Sequence, residues 1–173
     1  MDASSVPPPV SMNYPAPAFE AKICHPQDLA ARVAALPRPL VFTNGCFDIL
    51  HRGHVTYLAQ ARSLGASLIV AANSDASVRG LGKGDDRPVN ALADRMALLA
   101  ALESVSLVTW FDEETPLARI LECRPEVLVK GGDWPVERIV GFREVTGWGG
   151  TVHSLPFLHE RSTTALLERI RRL

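Results

Sequence analysis

FTNGCFDILHRGHVTYLAQAR, residues Phe42 to Arg62, opens on the end of an apolar run and closes with the spacing of a helix. Two histidines, His51 and His54, stand on either side of Gly53 where one element gives way to the other. A core has little use for imidazoles at such a junction, and glycine weakens the helix that is starting. Three residues apart, the two rings share one helix face. Gly53 has no Cβ and lets a ligand approach the backbone. The free N–H groups of a helix N-terminus seat a phosphate, and a phosphate in turn favours charged imidazoles. Taken alone, an HxxH is more often a pair of satisfied histidines, or part of a metal site. For a metal, Asp48 is the only close acidic residue, and no third ligand is evident.

The chain on both sides alternates in the same way. Leu40–Thr43, Leu68–Ala72, Val105–Trp110, Val127–Lys130 and Thr151–Leu155 are short, continuously apolar strands. Helical spacing occupies Pro26–Leu36, Val55–Leu64, Ala91–Leu102, Pro116–Cys123, Pro135–Thr146 with a break at Gly141, and Thr163–Leu173. Apolar strands alternating with helices imply parallel pairing with both sheet faces covered. The expected fold class is α/β: a single doubly wound Rossmann-like domain with a five-stranded parallel sheet and helices on both faces. It spans residues 21–173, preceded by a disordered or loosely docked Pro/Ala-rich tail over residues 1–20 that lacks apolar periodicity.

Doubly wound sheets bind ligands beyond the carboxyl ends of their strands. Those ends carry Gly45-Cys46-Phe47-Asp48, then Asn73-Ser74-Asp75, then Lys130-Gly131-Gly132-Asp133. Trp134, which follows, either borders the ligand or packs, with packing favoured. The segment Arg79–Arg87 alternates basic residues with glycines and suits a lid over phosphates. Other nucleotide signatures are absent: no GxGxxG follows the first strand, and Gly82-Lys83 lacks the rest of a P-loop.

Composition narrows the partners. The 173 residues carry a formal net charge of −1, so no global basic field draws the chain to nucleic acid or anionic lipid. No apolar run is long enough to span a bilayer, and the start does not resemble a secretory signal. Three widely spaced cysteines make neither a disulfide framework nor a zinc cage. Nucleic acid and membrane are therefore not expected partners, and the cytoplasm is the expected compartment.

The pattern G-x-F-D-x-x-H-x-G-H, Gly45 through His54, resembles the HxGH nucleotidyltransferase superfamily in its cytidylyltransferase-like branch. Asn73-Ser74-Asp75, Arg87-Pro88-Val89-Asn90, Arg95, LVKGGDW and Ser162-Thr163-Thr164 are similar to bacterial D-glycero-β-D-manno-heptose 1-phosphate adenylyltransferases. In many of these the domain is fused to a sugar kinase, and this chain resembles the stand-alone form. The resemblance implies transfer of AMP from ATP to the sugar 1-phosphate, giving ADP-heptose and pyrophosphate for the lipopolysaccharide inner core. His51, His54 and Lys130 would then be catalytic. ATP would contact Thr43, Asn44, Gly45, Cys46, Phe47 and Gly53, with Lys83 and Arg87 from the glycine-rich segment. Gly131, Asp133, Ser162, Thr163 and Thr164 would complete its site. Asp48, Asn73, Asp75 and Arg95 would meet the sugar. Mg²⁺ would be held mainly by ATP phosphates, with no protein metal site, and a homo-oligomer, a dimer above all, is implied.

Glycerol-3-phosphate cytidylyltransferases share the HxGH core but carry R-T-E-G-I-S-T-T near the end, where this chain has Phe157-Leu158-His159-Glu160-Arg161 before Ser162. A cytidylyltransferase for a small phospho-alcohol is the nearest alternative. A non-catalytic nucleotide-binding module and a histidine-metal hydrolase are the others.

Overall fold

The computed structural model describes residues 15–82, 87–159 and 163–173. Its elements alternate as expected: α1 (Leu29–Ala34), β1 (Leu40–Gly45), α2 (Arg52–Arg62), β2 (Ser67–Asn73), α3 (Asp75–Gly80), α4 (Leu92–Ala100), β3 (Leu107–Phe111), α5 (Leu117–Cys123), β4 (Val127–Gly131), α6 (Phe142–Gly147), β5 (Thr151–Leu155) and α7 (Thr163–Arg171). All five strands are parallel, in the order β3-β2-β1-β4-β5. The chain runs outward from β1 to β3 and then jumps back to β4 on the other side of β1. The crevice of this doubly wound sheet therefore opens between the carboxyl ends of β1 and β4.

Successive side chains on each strand point to opposite faces, and both faces are filled. Val41, Leu68, Val70 and Val108 meet Tyr57, Leu58 and Ala61 of α2 and Met96 and Leu99 of α4. Leu40, Phe42, Ile69 and Leu107 meet Leu29 and Val33 of α1, Ile120 of α5 and Val145 of α6. Each large side chain so buried contributes about 1.5–3 kcal/mol. Among the described residues no helix is long and apolar enough to cross a membrane.

Two local features differ from the expectations, and a third meets them. Asp75–Gly80 is helical because Ser74 caps it, its Oγ accepting from the Ser77 amide at 3.1 Å. The expected break in Pro135–Thr146 falls at Gly141, φ 92°, which separates a 3₁₀ turn at Val136–Arg138 from α6. A Cβ on Gly141 would come within 2.9 Å of Ile120 Cδ1. Ala18–Lys22 forms a 3₁₀ turn with Phe19 against the core, and Ile23 bridges Val108 along the free edge of β3. Docked structure thus begins slightly before residue 21.

Candidate active site

The end of β1 is built around a steric pair. Phe47 takes φ 47°, and its ring folds back so that a Cβ on Gly45 would lie 3.0 Å from Phe47 Cε2. Next in the chain, Asp48 is 1% exposed and its carboxylate has internal partners only. It accepts from Arg87 Nε at 2.5 Å, the Val89 amide at 2.8 Å and the Asn90 amide at 3.0 Å. Arg95, fully buried, donates to the Cys46 carbonyl at 2.6 Å, Asp75 Oδ1 at 2.8 Å and the Asn90 carbonyl at 3.1 Å. A buried charge is tolerable only when its partners are complete, and these sets are full. Asp48 and Arg95 thereby bind the end of β1 to residues 87–90 and to the start of α3.

His51 caps α2. Its backbone is extended (φ −142°, ψ 170°), and its Nδ1 accepts from the His54 amide at 3.4 Å, a long cap. The two imidazoles stack at 3.8 Å between centroids, 17° from parallel. Edge contacts from Phe47 at 5.3 Å and Phe157 at 6.5 Å enclose His54 further. Burial, then the neighbouring His51, depress the His54 pKa to about 4, although the nearby Ile49 carbonyl works weakly in the opposite direction. His54 Nδ1 is itself buried without a full hydrogen bond among the described residues. At Gly53 a Cβ would lie 3.0 Å from the His51 ring and 3.3 Å from the His159 carbonyl. The β5–α7 connection therefore passes over the start of α2.

Lys130 reaches across the sheet's reversal point, Nζ donating to Asn44 Oδ1 at 3.3 Å. Two cavities open there. One, of about 210 Å³, is lined by Phe47, His54, Tyr57, Gly131 and Phe157. The other, of about 320 Å³, extends past Asn73 to Glu114, Thr115, Trp134 and Arg138. Asn44, Gly45, Cys46 and Lys130 line both. The cleft is thus two lobes joined at one cationic neck.

The expected site residues divide accordingly. His54, Lys130, Asn44, Gly45, Cys46, Phe47 and Gly131 line the cleft directly, with His51 stacked behind His54. Asn73 lines the larger lobe, its Nδ2 donating to Ser77 Oγ at 3.0 Å. Asp133 is exposed on the turn that follows β4. Thr163 is buried at the start of α7 and Thr164 is exposed. Thr43 lies beneath the cleft instead, buried with its hydroxyl 2.6 Å from Tyr57 OH. Asp48, Arg87 and Arg95 are buried and engaged with one another's segments as described, which makes them supports of the cleft, while Asp75 pairs with Arg95 through Oδ1 and stays partly exposed. Lys83 and Ser162 lie outside the described residues, as does the centre of the expected lid.

The larger lobe was the least legible part. Glu114 and Thr115 follow β3, whose carboxyl end obeys the same rule as those of β1, β2 and β4. Trp134 is 51% exposed and walls the lobe, the less favoured of its two expected places. Its amide donates to Ser154 Oγ at 2.9 Å and its Nε1 to the Gly131 carbonyl at 3.2 Å, which fixes the indole. Among the described residues no group of three or more His, Cys, Asp or Glu converges to hold a metal ion.

Known proteins with similar sequences and structures agree with this architecture. A D-beta-D-heptose 1-phosphate adenylyltransferase of Bordetella bronchiseptica is 59% identical over 155 residues, covering 88% of this chain and 96% of that protein. The bifunctional protein HldE of Hahella chejuensis is 58% identical over 134 residues, 77% of this chain but 28% of its own length. Among solved structures, the lipopolysaccharide core biosynthesis protein of Thermoplasma volcanium GSS1 superposes with a TM-score of 0.58 at 27% identity, over 70% of this chain and 98% of that one. Residues 42–169 match the cytidylyltransferase-like family model, and the chain belongs to that family.

Proposed function

We propose that this chain is a nucleotidyltransferase that moves AMP from ATP to D-glycero-β-D-manno-heptose 1-phosphate, releasing pyrophosphate and forming ADP-heptose for lipopolysaccharide synthesis. The observation that carries the reading is the neck of the cleft. Lys130 and His54, the latter in the first turn of α2, line one small cavity at the sheet's reversal point, and His51 stacks behind His54. The 59% identity to a heptose 1-phosphate adenylyltransferase supplies the substrate.

The chemistry asks little covalent help of the protein. A sugar 1-phosphate has a second pKa of about 6, so it is largely a dianion near neutrality and needs no general base. Its oxygen attacks the α-phosphorus of ATP, a new P–O bond forms, and the bond to the β-phosphate oxygen breaks with pyrophosphate leaving. What limits the step is bringing two anions into line and neutralising the charge that builds on the leaving group. Lys130, steered by Asn44, holds the phosphates at the neck. His51, His54 and the amides at the start of α2 donate to the triphosphate. The ring of His54 is neutral at pH 7 without ligand, and an approaching polyphosphate favours its protonation.

Mg²⁺ would enter with ATP on its phosphate oxygens, because the strand-end carboxylates Asp48 and Asp75 are held by Arg87 and Arg95. A reaction that consumes ATP belongs in the cytoplasm. Incubation with ATP, Mg²⁺ and the heptose 1-phosphate should yield ADP-heptose and pyrophosphate in equal amounts by ³¹P NMR. Turnover of CTP with glycerol 3-phosphate and none with the heptose would overturn the reading.

A further inference from the structure

The two lobes differ in chemistry, and the difference assigns the substrates. Because the reaction joins two phosphates, those phosphates must meet where both cavities share a wall, at Asn44–Cys46 and Lys130. The remainder of each substrate then extends into its own lobe. The smaller lobe lies over the α2 N-terminus and presents His54 with no carboxylate on its wall, which suits a polyphosphate. The larger lobe carries the Glu114 carboxylate, which repels phosphate and accepts hydrogen bonds from hydroxyl groups.

The neighbours of Glu114 sharpen the point. Glu113 and Glu122 both pair with Arg119, whereas Glu114 has no ion pair among the described residues. Arg138 lines the same lobe and brings hydrogen-bond donors to it. The same lobe holds the fixed, half-exposed indole of Trp134, a flat apolar wall for the C–H face of a pyranose. An acceptor, a donor and an aromatic plane are the three things a polyol ring needs.

We propose that the larger lobe is the sugar subsite of this enzyme, with Glu114 and Arg138 selecting hydroxyl positions and Trp134 flanking the ring. The inference rests on the transferase reading above and names where its sugar binds. Glu114→Gln keeps the shape and removes the charge at an exposed position, so folding is unaffected. The KM for heptose 1-phosphate should rise on the order of 10-fold while the KM for ATP stays within about two-fold. A rise confined to ATP would make this lobe the adenosine site, and no change in either constant would remove Glu114 from recognition; both overturn the proposal. Tryptophan fluorescence titrated with hexose and heptose 1-phosphates, without nucleotide, separates this inference from the function itself. A response in the native chain that Trp134→Phe abolishes supports the subsite even if no nucleotide is transferred. No Trp134-dependent response to any of these sugars would sink it.

Discussion

His51 and His54 lie ring on ring, 3.8 Å apart and 17° from parallel, at the mouth of a helix. Two imidazolium ions at that distance repel, and burial already disfavours charge on His54. His54 therefore stays uncharged near neutrality. In the proposed reaction a polyphosphate would supply the counter-charge that makes protonation of His54 favourable.

The His54 resonance should titrate near pH 4 in the free protein, and its pKa should move upward when ATP is added. NMR of the histidine ring protons reads both values. Proton uptake on ATP binding near pH 6, seen as a buffer-dependent binding heat, is the calorimetric counterpart.

The same depression makes stability depend on pH. The unfolded chain takes up this proton near pH 6.5 and the folded one only near pH 4, so the unfolded state binds more protons in between. The contribution of His54 is fully present above pH 6.5 and is lost as pH falls toward 4, by at most about 3 kcal/mol. Urea midpoints across that window should fall on acidification, and His54→Phe should flatten the slope.

Asp48→Asn should destabilise the fold by about 3–5 kcal/mol, since it leaves the Arg87 guanidinium buried beside a neutral amide. Chemical denaturation measures the loss. A cost under about 1 kcal/mol would show that the pair does not anchor residues 87–90.

Gly45→Ala places a methyl against the Phe47 ring, which in turn packs on His54. Turnover should fall on the order of 100-fold from sub-ångström misplacement of the phosphate site, with a stability cost of only about 1–3 kcal/mol. Thermal denaturation beside steady-state rates separates the two effects.

Much of this site was visible in the sequence because its core is local. Gly45, Phe47, His51, Gly53 and His54 lie within ten residues of one another, and one turn and one helix start bring them together. Asp48 was legible as important and illegible in role, because its partners Arg87, Val89 and Asn90 are about forty residues downstream. Arg95 joins three separate segments, which no local pattern reveals. Trp134 resembled a packing residue because exposure is a property of the assembled fold. Helix α3 was hidden by the glycines after it, although the Ser74 cap was in plain view.

The most direct test of the account is His54→Ala, assayed for both turnover and ATP affinity. Charge stabilisation at the leaving phosphates predicts a fall in kcat of about 100- to 1,000-fold, with the dissociation constant for ATP changed only several-fold. Turnover within a few-fold of the native chain would contradict it, and the histidine pair would then be structure alone.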